Sequence, residues 1–395
     1  MFRNHRVAKL AATLTALAFT GILTGLNQHT TVIASTPASD AATVTPGAPG
    51  LTFGIAYPAL VSETPAAQKS AISAIKSIGI TSVRIDADWA WIQPTSANEF
   101  DWPILDQEVK IIRAAGLTAD LIIDGCPPWA AVPGTSGDPS PQPASSAQFA
   151  TWAADVARRY APEGVRYFEI WNEPNIVAFW QPKPDPLAYS EDLIAAYKAI
   201  KDVDSSAFVI SGGLSPSVTD ADDYSPIEFL DDMYHDGAKG SFDALGYHPY
   251  SYPATPDTYE QWSGWSQMSA TGPSIRSVMA DNDDSDKKVW ITEFGAPSSG
   301  TSSVGTAGQA TQIGQALGSA RSTNWVGAIY IYTWQDSSSA DAQDNGFGLL
   351  AANGSPKAAC GVVAAVLRRQ QGARTDRNLV LKHLTPASAC SFLGS

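Results

Sequence analysis

Glu173 and Glu293 each close a short apolar run of β type, and each is followed at once by a turn. Tyr167-Phe168-Glu169-Ile170-Trp171-Asn172 leads into Glu173-Pro174, and Val289-Trp290-Ile291-Thr292 leads into Glu293-Phe294-Gly295. The two glutamates are 120 positions apart, so only a fold that gathers strand ends can unite them. Two carboxyls at one mouth supply what glycosidic bond cleavage needs: one protonates the leaving oxygen while the other attacks or activates water. A lone strand-end glutamate is more often a solvated residue or an ion-pair partner. Glu173 is not alone: Asn172 beside it can hydrogen-bond a sugar hydroxyl, and Pro174 after it lacks the N–H that would continue a ladder.

Other residue types point the same way. Arg84 sits inside the apolar run Val83-Arg84-Ile85-Asp86, where an unpaired cation is costly, so it must meet an anion. That anion is either an ionised catalytic carboxylate or a neighbour, Asp86 or Asp88; the same aspartates are candidates for binding sugar hydroxyls. Trp89, Trp91, Trp129 and Trp180 follow strand ends and offer faces for pyranose rings. Of five histidines, His5 and His29 lie near the N-terminus, and no CxxC or Cys/His cluster occurs. No metal site and no cofactor are expected.

The elements that must position these side chains are legible as a repeating alternation. Apolar β-type runs lie at 51–57, 81–86, 117–124, 165–172, 207–212, 242–248, 287–293 and 326–333. Amphipathic segments follow them at 64–79, 104–115, 147–160, 186–202, 226–236, 273–281, 306–321 and 356–370. Eight strands alternating with helices give an α/β fold, a (β/α)8 TIM barrel forming a single catalytic domain over residues 51–371. The stretches 125–146, 213–225, 249–272 and 334–355 are long and rich in Pro, Gly, Ser, Asp and aromatics. In a barrel these segments build the active-site face, so their length implies a shaped cleft.

Composition bounds the partners. Among 395 residues, 39 acids face 25 bases, a formal charge of −14, which argues against nucleic acid and against a stable partner in anionic membrane surfaces. A neutral polysaccharide or oligosaccharide is unaffected by that balance. Residues 1–34 read as a signal peptide: Arg3, Arg6 and Lys9 precede an apolar stretch from Leu10 to Leu26, and Val32-Ile33-Ala34 before Ser35 resembles a cleavage site. An uncleaved N-terminal anchor is the alternative, and both imply export. Residues 35–50 form a flexible linker, and 372–395 a tail packed on the barrel. Cys360 and Cys390 are placed to staple that tail, Cys126 lies by a loop, and the alternative is three free buried thiols.

With Asn172-Glu173-Pro174 on the fourth strand and Thr292-Glu293-Phe294-Gly295 on the seventh, the chain resembles the retaining glycoside hydrolases of clan A, which include family 5 cellulases and family 39 xylosidase-type enzymes. The resemblance spans Leu51 to Gln370. It implies Glu173 as acid/base and Glu293 as nucleophile, with Arg84 near the nucleophile. By the same resemblance, His248 and Tyr250 match a His-x-Tyr in which the tyrosine orients the nucleophile and the histidine contacts the sugar or the acid/base. Trp334, after the eighth strand, takes the place of the platform under the sugar. Many family 5 enzymes end strand three with a histidine; Asp124-Gly125-Cys126-Pro127-Pro128-Trp129 here leans toward family 39. The expected activity is a secreted retaining β-glycoside hydrolase, with transglycosylation or a non-catalytic glycan-binding barrel as alternatives.

Overall fold

A computed structural model of the chain describes residues 50–135, 137–337 and 346–375. The leader, almost all of the linker, and the tail beyond Thr375 with Cys390 lie outside the described residues. Eight strands, β1 Thr52–Ala56, β2 Ser82–Asp88, β3 Thr118–Asp124, β4 Tyr167–Asn172, β5 Phe208–Gly213, β6 Ala244–Tyr247, β7 Lys288–Phe294 and β8 Val326–Tyr332, close into a ring in chain order. Every neighbouring pair is parallel, including β8 back to β1. Among the described residues ten α-helices lie between and after them: α1 Pro65–Ser77, α2 Trp89–Ile92, α3 Pro103–Ala114, α4 Ser146–Tyr160, α5 Pro186–Val203, α6 Pro226–His235, α7 Gly264–Ser269, α8 Ile275–Asp281, α9 Gly305–Ser322 and, following β8, α10 Ala358–Thr375. None of the helices among the described residues is long and apolar enough to cross a membrane.

Helix starts follow local chemistry. Thr64, Asp185 and Ser225 each accept an N–H of the first turn through their side chains, and each is followed by proline, whose missing N–H costs nothing there. Ser274 and Ser277 satisfy each other's backbone groups in a capping box at the start of α8. Two short helices were not expected: α7 falls in the stretch 249–272 read above as loop, and α2 lies between an expected strand and helix, where no element was assigned. Each is too brief to show a helical period in sequence.

Strand parity decides which side chains reach the barrel interior. In β2, Val83, Ile85 and Ala87 pack outward in the main core against the helices, so Arg84, Asp86 and Asp88 face inward. In β4, Phe168 and Ile170 are outward, and Glu169 is fully buried between them. The barrel floor is a separate cluster of Ala56, Ile210, Ala244, Trp290, Ala328 and Tyr330. Gly54 is required where Tyr330 crosses that floor, since a Cβ there would stand 2.1 Å from the ring. β2 also runs two residues beyond the expected end, which pairs Asp88 with Asp124 of β3. Both acids thereby point into the mouth rather than breaking the strand.

Among the cysteines, Cys126 is free and buried, and Cys360 is disulfide-bonded.

Candidate active site

The mouth is built from strand ends around one guanidinium. Arg84 is 2% exposed and donates from Nε to Glu169 Oε2 at 2.6 Å and from Nη2 to Glu169 Oε1 at 3.1 Å. Nη2 also donates to Asn172 Oδ1 at 2.8 Å, and Nη1 donates to Glu293 Oε1 at 2.6 Å. Burial alone would weaken the guanidinium's hold on its proton, but Glu169 and Glu293 keep it charged. A buried ion pair of this kind is costly to break, about 3–5 kcal/mol when one partner is lost.

Glu293, on β7, takes its second contact from the Tyr250 hydroxyl, 2.8 Å from Oε2. Burial would raise its carboxyl, but the His248 and Arg84 charges, with the hydrogen bonds from Tyr250 and Arg84, outweigh it and hold the group below the usual carboxylate range. Glu293 is thus prepared as an anion. Burial pushes the Tyr250 phenol well up, and the Glu293 charge adds to it, so Tyr250 keeps the proton it donates.

Glu173 reaches the same mouth through a backbone turn that few residue types adopt. Trp171 and Glu173 have φ of 71° and 46°, in the left-handed region, where each non-glycine residue costs about 1–3 kcal/mol unless its surroundings fix it. Here the Glu173 N–H donates to Gly213 O at 3.1 Å, and the Trp171 indole N–H donates to Phe179 O at 2.7 Å. The turn delivers Asn172 to Arg84 and Glu173 to His248, whose Nδ1 lies 2.9 Å from Glu173 Oε1. That same Nδ1 is 3.9 Å from Glu293 Oε2. One imidazole nitrogen therefore lies between the two carboxyls, and the two oxygens can be no further apart than those distances laid end to end. That ceiling, which holds for this one pair of oxygens, admits the about 5–5.5 Å separation of a retaining pair.

His248 is fully buried, with Nε2 3.0 Å from Thr292 Oγ1. Gly213 makes room for it: a Cβ at that position would stand 2.1 Å from Nε2. His248 contacts the Glu173 carboxyl rather than the cavity surface.

Arg84, Asp86, Asn172, Glu173, Tyr250 and Glu293 all line one open cavity, together with Asp88, Asp124, Tyr252 and Tyr332. Burial pushes the Asp86 carboxyl up to about 6; Arg84 offsets part of this, and the Glu293 and Glu169 charges add to the rise. Asp124 is pushed well up by burial and then by Asp86 and Asp88. Among the described residues, no group of three or more His, Cys, Asp or Glu is placed to hold a metal ion.

Four of the five tryptophans expected as sugar contacts do not line the cavity. Trp334 is 1% exposed and packs in the main core. The inward parity of Ala328 and Tyr330 instead brings Tyr332 to the mouth, and Thr333 Oγ1 then donates to Ala56 O, turning the chain away. Trp129 donates its indole N–H to Gln93 O at 2.7 Å and sets its ring edge-on to Trp89, 5.5 Å between centroids. It is a packing residue beside the cavity. Trp89 and Trp180 are likewise buried in the core, and of the five Trp91 is the one at the cavity wall.

Glu169 was not singled out in the sequence, although the signal was there: an acid between Phe168 and Ile170, four residues before Glu173, needs a partner for the reason Arg84 does. Arg84 pairs with Glu169 and Glu293, not with Asp86 or Asp88 as the sequence left open.

Comparison with known proteins places the fold. The structure is similar in fold to a family 39 glycoside hydrolase from Bacteroides cellulosilyticus WH2, with TM-score 0.63 and 22% identity over 82% of this chain and 65% of that one. It is also similar to a monomeric β-xylosidase from Caulobacter crescentus CB15, with TM-score 0.59 and 19% identity over 80% of this chain and 67% of that one. An exo-β-1,4-mannosidase from Opitutaceae bacterium strain TAV5 gives TM-score 0.60 and 15% identity over 84% and 63% of the two chains. The chain thus spans about two thirds of the length of these neighbours. Comparison with curated proteins by sequence gives no match. The cellulase model, glycosyl hydrolase family 5, matches residues 45–332, a span that holds all eight strands and both glutamates. The chain belongs to the cellulase family, glycosyl hydrolase family 5.

Proposed function

We propose that this glycoside hydrolase cleaves β-glycosidic bonds of a neutral poly- or oligosaccharide with retention of configuration, by double displacement, after export directed by its N-terminal leader. Glu293 is the nucleophile. Its oxygens are fixed by Arg84 and Tyr250, so one of them can bond the anomeric carbon while Glu173 gives a proton to the departing oxygen. Glu173 then takes a proton from water, whose oxygen attacks the same carbon and releases Glu293.

The observation that carries this reading is the single imidazole nitrogen within reach of both carboxyls. The preference for a neutral sugar is supported by the cavity wall: among the described residues that line it, Arg84 is the one cation, and it is already bound to Glu169 and Glu293, so no further cation faces a uronate carboxylate. Proton NMR of freshly formed product from an aryl β-glycoside tests the reading: the β-anomer is expected first, and initial release of the α-anomer contradicts it.

A further inference from the structure

We infer that Thr292 is a positioning residue for the acid/base: with its hydroxyl tied to Glu169, it fixes which nitrogen of His248 carries a proton and leaves a single proton shared between His248 Nδ1 and Glu173. The inference rests on the role proposed above for Glu173 and follows from a proton count along a buried chain. Glu169 is held through both oxygens by Arg84, and its Oε1 accepts from Gly213 N at 3.0 Å and from Thr292 Oγ1 at 3.0 Å. As an acceptor on every side, Glu169 has no hydrogen to return. A hydroxyl has one hydrogen, and Thr292 has given it to Glu169, so toward His248 Nε2 at 3.0 Å its oxygen can only accept. Nε2 is therefore the N–H of the ring.

Nδ1 is then the imidazole atom that exchanges a proton with Glu173 Oε1, 2.9 Å away. His248 is fully buried and Glu173 is 8% exposed, so water competes little for this contact. The charged and titratable groups around the pair are Glu293, with Oε2 3.9 Å from Nδ1; Arg84 and Tyr250, both bound to Glu293; and Glu169 behind Thr292. One proton between Nδ1 and Oε1 makes a hydrogen bond. Without it two lone pairs face each other. When the proton has passed to the leaving oxygen, that repulsion drives Glu173 to take one back from the incoming water, whose oxygen bonds the anomeric carbon as the ester to Glu293 breaks. A strand interior does not need a hydroxyl at 292, since valine has the same branched shape and serves a strand as well.

The test reads the tautomer directly and without substrate. Enzyme labelled with 15N-histidine gives long-range proton–nitrogen correlations, and His248 is assigned by the signal lost in His248→Asn. In the wild type Nε2 is expected to carry its proton at every pH at which the protein is folded; in Thr292→Val both tautomers are expected, and Thr292→Ser should restore the first pattern. A wild-type ring protonated at Nδ1 and bare at Nε2 overturns the inference, even if the valine variant does not fold. An unchanged valine spectrum does so too. In turnover, Thr292→Val should lose at least about tenfold in kcat/KM, which reports the step that expels the leaving group, with poor leaving groups and little in kcat/KM with dinitrophenyl glycosides, because dinitrophenolate departs without a proton; equal loss of kcat/KM on both overturns it. If the wild type turns over no β-glycoside, the function proposed above fails, while the spectrum still decides the tautomer.

Discussion

Arg84 Nη1 lies 2.6 Å from Glu293 Oε1, and the same guanidinium grips Glu169 at 2.6 Å from the other side of the barrel. One cation thus ties β2 to β4 and β7, so structure and chemistry depend on it together. Arg84→Lys keeps the charge but cannot make the fork, and it is expected to cut kcat by roughly a hundredfold or more while lowering the unfolding midpoint. Chemical denaturation beside steady-state kinetics checks both halves. A variant that loses stability alone would show that Arg84 is structural only.

Removing either carboxylate should abolish turnover and leave the fold. Glu173→Gln and Glu293→Gln are each expected to lose at least roughly a thousandfold in rate, the size of a general-acid or nucleophile effect. With azide present, Glu293→Gly should yield a glycosyl azide of inverted configuration and Glu173→Ala one of retained configuration. The reverse pattern would exchange the roles.

Gly213 has no tolerance for a side chain. A Cβ there would stand 2.1 Å from His248 Nε2 and 2.6 Å from Thr292 Oγ1, so Gly213→Ala must displace the imidazole that holds Glu173. The expected outcome is a loss of kcat greater for substrates with poor leaving groups, with a modest fall in stability of about 1–3 kcal/mol. Wild-type kinetics in this variant would mean that the His248 position is not needed for acid catalysis.

The acidic wall sets a pH dependence of stability. Asp86 sits near 6 in the fold against 3.8 for an ordinary aspartate, so the folded state holds this proton more tightly than the unfolded chain. The group therefore costs stability increasingly as pH rises from about 4 to 6, and fully above that. Asp86→Asn should raise the melting temperature above about pH 7 and do little below about pH 4. Glu293 has the opposite sign: its depressed value contributes stability above the unfolded value that is lost as pH falls through the folded one. Thermal melts of wild type, Asp86→Asn and Glu293→Gln across pH separate the two, and a uniform shift in Asp86→Asn would contradict the first.

The ring of strands was readable because each apolar run is bounded by glycine, proline or polar residues, and all eight fall within two residues of their expected ends. Among the expected neighbours of Glu173 and Glu293, Arg84 and Asn172 were readable as unusual residue types in or at the end of an apolar run, whereas His248 and Tyr250 were legible only through the resemblance to a family His-x-Tyr. The tryptophans were not. An aromatic after a strand is equally suited to core and to sugar, and it is the turn at Thr333, whose Oγ1 donates to Ala56 O, that separates Tyr332 at the mouth from Trp334 in the core. Glu169 and Thr292 lay hidden for another reason: their partners come from other strands, and sequence spacing does not show pairing across a barrel.

The central claim, that Glu293 forms the covalent bond, is tested most directly by trapping. A panel of activated 2-deoxy-2-fluoro β-glycosides, read by intact mass and peptide mapping, is expected to inactivate the enzyme with one fluorosugar attached through the peptide that holds Glu293. Attachment at Glu173, or steady hydrolysis of the cognate sugar with no adduct and an inverted product, would contradict it.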